Sequence, residues 1–168
     1  ALYRRGRTLL RELGQGVTAA STGADVARVE LLAGDFATAE REVRADYDFL
    51  AHKGETYFMA TIAALLARIV RAQGRDEEAL ALSVTAEGAA AADDIDAQVQ
   101  WRSVRAPIVA RSGDLVQAES LARAALDLAM KTDALILQAD TYTDLAEVLR
   151  LAGRADEART AINDAIAL

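Results

Sequence analysis

Apolar residues recur along this chain at three- and four-residue spacing, the period of helices that bury one face. Glycine punctuates the pattern. One frame repeats: Gly34-Asp35-Phe36, Gly74-Arg75-Asp76, Gly113-Asp114-Leu115 and Gly153-Arg154-Ala155, with glycine spacings of 40, 39 and 40. Five residues after each glycine stands an alanine (Ala39, Ala79, Ala118, Ala158), and seven before it another (Ala27, Ala67, Ala106, Ala146). A β-branched apolar residue lies five before each glycine (Val29, Ile69, Ile108, Val148). Val26, Leu66, Arg105 and Leu145 directly precede Ala27, Ala67, Ala106 and Ala146. Single alanine matches are cheap in such a chain, but this joint register is not.

The frame predicts helical hairpins. One helix runs up to each glycine, whose permissive backbone ends it, and a second starts a few residues later. Asp35, Asp76 and Asp114 fall where a carboxylate caps free amides and complements the helix dipole. The small residues 12 apart would face each other across the hairpin. First helices are expected at about 17–33, 55–73, 95–112 and 134–152, and second helices at about 36–51, 76–91, 115–131 and 155–168. A leading helix over 2–13 would cover the apolar face of the first hairpin. The chain thus reads as one all-α domain, 1–168, with repeats at 17–51, 55–91, 95–131 and 134–168.

Composition narrows the classes. Hydrophobic residues make up 52% of the 168 and aromatics 5%, an alanine-rich balance that suits helix-on-helix packing rather than disorder. The absence of cysteine excludes a disulfide scaffold, thiolate metal ligands and a cysteine nucleophile, and fits a cytoplasmic location. The longest apolar-rich stretch, Phe58 to Val70, is too short for a bilayer, which takes about 20 residues, so no membrane partner is expected. A net charge of -7 argues against nucleic acid as a partner. The sequence opens without an initiator Met and stops inside a helical pattern, which suggests a segment of a longer polypeptide.

Glycine and two alanines in this register resemble the tetratricopeptide repeat, with small residues at its eighth and twentieth positions and glycine at its fifteenth. The match runs from about Ser21 to Leu168. It departs in a period of about 40 rather than about 34 residues, in an early aromatic present only as Tyr142, and in a missing closing proline. The resemblance implies a right-handed superhelical array of antiparallel hairpins, an α-solenoid. The segments Gln100 to Ala106 and Asp144 to Arg154, with the long period, also resemble the C-terminal repeat region of large bacterial signalling regulators. Those join a class III nucleotide cyclase domain and an ATPase module to such repeats. The cyclase and ATPase motifs do not occur in these residues.

Chemistry is sparse. His52 is the only histidine, so no pair of histidines can bind a metal, and beside Lys53 it suits a helix C-terminus. Asp93, Asp94 and Asp96 lack the glycine-punctuated loop and bidentate glutamate of a calcium site, and read as a helix cap. Gly14-Gln15-Gly16 lacks the strand and Lys-Ser/Thr of a phosphate loop, and reads as a turn. Trp101 and Tyr142 fall on first helices as core, and Pro107 should kink its helix near Ser103. No catalytic, cofactor or metal residue is assigned, and no enzyme activity is expected.

In stacked hairpins the first helices line the concave face. Arg28, Arg68, Arg71, Arg111, Glu147 and Arg150 would face it, with Gln100, Asp140 and Asp144 nearby. Arginine forks hold carboxylates bidentately, so an acidic peptide, an acidic loop of a neighbouring domain of the same chain, or an anionic small molecule would fit. The arginines could instead pair with Glu30, Asp140, Asp144 or Glu147 as a solvated face. The reading is a protein- or peptide-binding scaffold; its alternative is a ligand-sensing arm that controls an attached cyclase or ATPase. Exposed terminal helices, through Tyr3, Leu9 and Leu10 or through the last helix, would let two copies pair.

Overall fold

The computed structural model describes residues 2–168 and is built of α-helices, with no strand among those residues. In order they are α1 (Leu2–Glu12), α2 (Gly16–Ser21), α3 (Gly23–Leu32), α4 (Phe36–Lys53), α5 (Tyr57–Ala72), α6 (Asp76–Ala89), α7 (Ile95–Arg111), α8 (Leu115–Ala129), α9 (Leu135–Leu151) and α10 (Ala155–Ala167). They fall into two compact units, Ala1–Ala90 and Ala91–Leu168. In the first, α3 packs on α4, α4 on α5 and α5 on α6; in the second, α7 packs on α8, α8 on α9 and α9 on α10, with α7 also against α9.

The helix ends follow from the glycines. Gly34, Gly74 and Gly153 have φ of 77°, 79° and 76°. Each donates its N–H to the carbonyl three residues back while the next N–H reaches five back, as in Gly34 to Leu31 and Asp35 to Glu30. That pairing satisfies carbonyls the helix leaves free, and a side chain at the glycine would strain it. Gly113, at φ 100°, keeps only the shorter bond. Asp35, Asp94 and Asp114 cap α4, α7 and α8, each accepting from the N–H three residues on at 2.9–3.0 Å. Asp76 is instead the first residue of α6, behind Arg75, and makes no such cap.

The frame alanines form the seams. All of them, from Ala27 to Ala158, are at most 8% exposed, and Ile69, Ile108 and Val148 are buried with them. Val29 departs, 59% exposed. Around the seams Val43, Leu50, Ile62 and Leu66 fill the first unit. Leu145, Val148 and Leu149 fill the second among Ala106, Ala118 and Ala122. Helices this rich in alanine approach closely, so each larger side chain fills space its neighbours do not.

One expectation is corrected. The first hairpin has no single helix over 17–33, because the chain breaks at Thr22 into α2 and α3. There the Ala19 carbonyl accepts from the Thr22 hydroxyl at 2.9 Å and from Arg7 Nε at 3.1 Å, so side chains take the place of a helical N–H. In α1 the buried residue is Arg7, while Leu2 and Leu9 are exposed. Helix α7 runs on through Pro107, which is buried.

Candidate interaction surface

The first-helix faces carry the residues expected to bind. In the first unit Arg28 on α3 is exposed, and Arg68 and Arg71 on α5 are half-buried. The latter two already engage other groups of the chain. In the second unit Gln100 on α7 is buried and donates through Nε2 to Asp96 Oδ2 at 2.5 Å. Arg111 near the end of α7 reaches across to Glu147 on α9 and pairs with it. Arg150, one turn beyond Glu147, is exposed. Deeper between α7 and α9, Ser103 and Thr141 are both buried and their hydroxyls meet at 3.5 Å. The α7–α9 face therefore shows cation and anion side by side rather than arginine alone.

Trp101 is core, 5% exposed, with the Arg102 and Arg105 guanidiniums 4.1 and 4.4 Å from its ring centre and its Nε1 donating to Gln98 Oε1. The aromatic face attracts both cations. Among the described residues no group of three or more His, Asp or Glu side chains is placed to hold a metal ion, and no helix is long and apolar enough to cross a membrane. His52 is exposed in the last turn of α4.

Two ionic arrangements were not anticipated. The first ties α1 to the first hairpin. Arg7, 3% exposed, grips Asp46, 1% exposed, with both carboxylate oxygens at 2.5 Å, and reaches Glu42 at 2.7 Å. Arg11 adds a contact to Asp46 at 3.3 Å, and Arg4 binds Glu30 and Glu42. Burial is the largest influence on the Asp46 carboxyl and pushes it up to about 6, against the pull of Arg7 and Arg11. Gly23 makes room: a Cβ there would lie 1.7 Å from Asp46 Oδ2 and 3.1 Å from Arg7 Nη2.

The second arrangement occurs once in each unit. In the first, Arg75 at the start of α6 pairs with Glu40 of α4 and, at 2.9 Å, with Glu78, while Arg44 bridges Glu40 at 2.8 Å and Glu78 at 2.5 Å. In the second, Arg154 at the start of α10 binds Glu119 of α8 at 2.7 Å and Glu157 at 2.5 Å, and Arg123 holds Glu119 at 2.7 Å. Each clasp joins the second helices of consecutive hairpins. Arg123 and Arg154 hold the Glu119 carboxyl below its ordinary range; at Glu40 burial opposes the same effect, yet hydrogen bonds from Gln73, Arg44 and Arg75 prevail. The signal was in the sequence: 79 residues separate Glu40 from Glu119, Arg44 from Arg123, Arg75 from Arg154 and Glu78 from Glu157.

No family model matches the chain, and no curated protein matches it. Among solved structures it is similar to the crystal structure of BtubC (BKLC) from P. vanneervenii, with a TM-score of 0.68 and 18% identity over 98% of this chain and 69% of that one. At that identity the likeness concerns the fold alone.

Proposed function

We propose that this chain is a protein-interaction module of the tetratricopeptide-like α-solenoid kind, which holds a peptide or partner domain against its first-helix faces within a larger bacterial signalling regulator. The observation that supports it is the α7–α9 face, where Gln100, Arg111, Glu147 and Arg150 stand on two packed helices braced from behind by α8 and α10. A rigid pair of helices offering polar side chains over a buried alanine seam can position groups for a guest without reorganising. The reading assigns the chain binding rather than catalysis. The pairing of Arg111 with Glu147 refines the guest: it should carry acidic residues with at least one cation, so that both members of the pair exchange partners on binding.

The test is calorimetry with acidic peptides that do and do not contain a lysine, on the unaltered chain and on Arg150→Glu, Arg68→Glu and Arg71→Glu. Binding that weakens about tenfold in at least one of these variants is expected, since a reversed charge at a contact is worth on the order of 1.4 kcal/mol. Peptide affinity equal in every variant, or absent from the start, would reject the first-helix faces as the binding surface.

A further inference from the structure

Helix α1 carries more charge and more exposed leucine than its own packing uses. Arg4, Arg7 and Arg11 all turn toward Glu30, Glu42 and Asp46 of the first unit. Leu2, Leu9 and Leu13, on another side of the helix, are 84%, 51% and 73% exposed. Gly6 lies in the same apolar sector, with nothing within 4 Å of where a side chain would begin. A hollow of ≈ 290 Å³, lined by Leu2, Tyr3, Gly6, Arg7, Leu10 and Thr22, adjoins it. Contiguous apolar surface of this kind marks an interaction site.

The two remaining charged residues of the helix suggest what covers it. Arg5 and Glu12 are exposed, and among the described residues neither side chain forms an ion pair or hydrogen bond. Seven residues apart, they fall on one flank of the leucine stripe, two turns or about 10 Å from each other along the axis. One positive and one negative charge at the two ends of an apolar stripe are self-complementary under a two-fold axis. An antiparallel partner helix of the same sequence sets Arg5 against Glu12 at one end and Glu12 against Arg5 at the other. A parallel arrangement would put the two copies' Arg5 and Glu12 on opposite sides of the interface, where neither pair can form.

We infer that this face of α1 docks on α1 of a second copy of the chain, the helices antiparallel, with Arg5 of each opposite Glu12 of the other. Gly6 lets the two backbones approach, and Leu9, near the middle of the stripe, meets the partner's apolar sector. A single helix pair buries little area, so the dimer should be weak, with a dissociation constant in about the micromolar range. This surface is separate from the first-helix faces, and its test does not depend on them.

Sedimentation equilibrium on the 168-residue chain decides the matter. The expected result is a monomer–dimer equilibrium abolished by Leu9→Lys. Arg5→Glu alone and Glu12→Arg alone should each weaken the dimer on the order of tenfold. Both changes in one chain restore it, and an equimolar mixture of the two single variants forms a heterodimer tighter than either homodimer. Circular dichroism confirms that each variant keeps its helices, as substitution at exposed positions leads one to expect. A chain that stays monomeric at every concentration overturns the proposal. So does a dimer indifferent to the charge exchanges, which would place the contact elsewhere, as on α10 with Ile162 and Ile166.

Discussion

Gly23 is required by a neighbour rather than by its backbone. It begins α3 in ordinary helical conformation, and what excludes a side chain is the Asp46 carboxylate, held in place by Arg7. A methyl group 1.7 Å from Oδ2 and 2.9 Å from Cγ of that carboxylate has no flexible surface group to push aside. Gly23→Ala should therefore lower stability by about 3 kcal/mol, the upper range for an overpacked site. Gly88→Ala, in α6 with nothing within 4 Å, should raise it by up to about 1 kcal/mol through helix propensity. Urea unfolding of the two variants measures both, and equal effects would mean that Asp46 does not crowd α3. None of this could be read from residue types. Arg7 and Asp46 are 39 positions apart, each on a helix with other charged residues, and each looks like part of a solvated face until the fold brings them together.

The helices themselves were legible because their signals are local. Each frame glycine takes the positive φ that stops a helix, and Asp35, Asp94 and Asp114 cap the next by side-chain contact within three residues. The break between α2 and α3 was not, since it depends on side chains competing for the Ala19 carbonyl. Nor was the use of Arg75 and Arg154, which fill the position where Asp35 and Asp114 stand in the other hairpins. That alternation of Gly-Asp with Gly-Arg makes the structural unit a pair of hairpins, repeated after 79 residues, each pair with one clasp. Leu80 and Arg159 stand where Glu40 and Glu119 stand in the other copies. Glu40→Ala and Glu119→Ala should each reduce stability by about 1 kcal/mol, at the top of the range for partly exposed pairs because each carboxylate serves two arginines. The loss should shrink in high salt. Parallel unfolding curves in low and high salt measure it, and a salt-independent loss would assign the effect to packing instead.

For the molecule as a whole, the carboxylates shifted in opposite directions fix how stability depends on pH. Asp46 is raised from 3.8 to about 6, so between those values the folded chain holds a proton that the unfolded chain releases. Stability then falls as pH rises through that window, and climbs on acidification from neutrality. Asp35, Glu40, Glu119 and Glu157 are lowered instead by the hydrogen bonds and cations that hold them. Their contribution is complete above the ordinary carboxylate range and is lost as pH falls through their depressed values, because there the unfolded chain binds more protons. The thermal midpoint should consequently pass through a maximum at about pH 5. Relief of self-repulsion in a chain of net charge -7 would also favour mild acidification, but it acts on every acidic group and survives a single substitution. Asp46→Asn separates the two causes. In that variant the midpoint should become nearly level between pH 7 and 5 while its fall below pH 4 persists. If the rise toward pH 5 is undiminished without the Asp46 carboxyl, the buried Arg7–Asp46 pair is not what titrates, and the pH dependence belongs to the net charge.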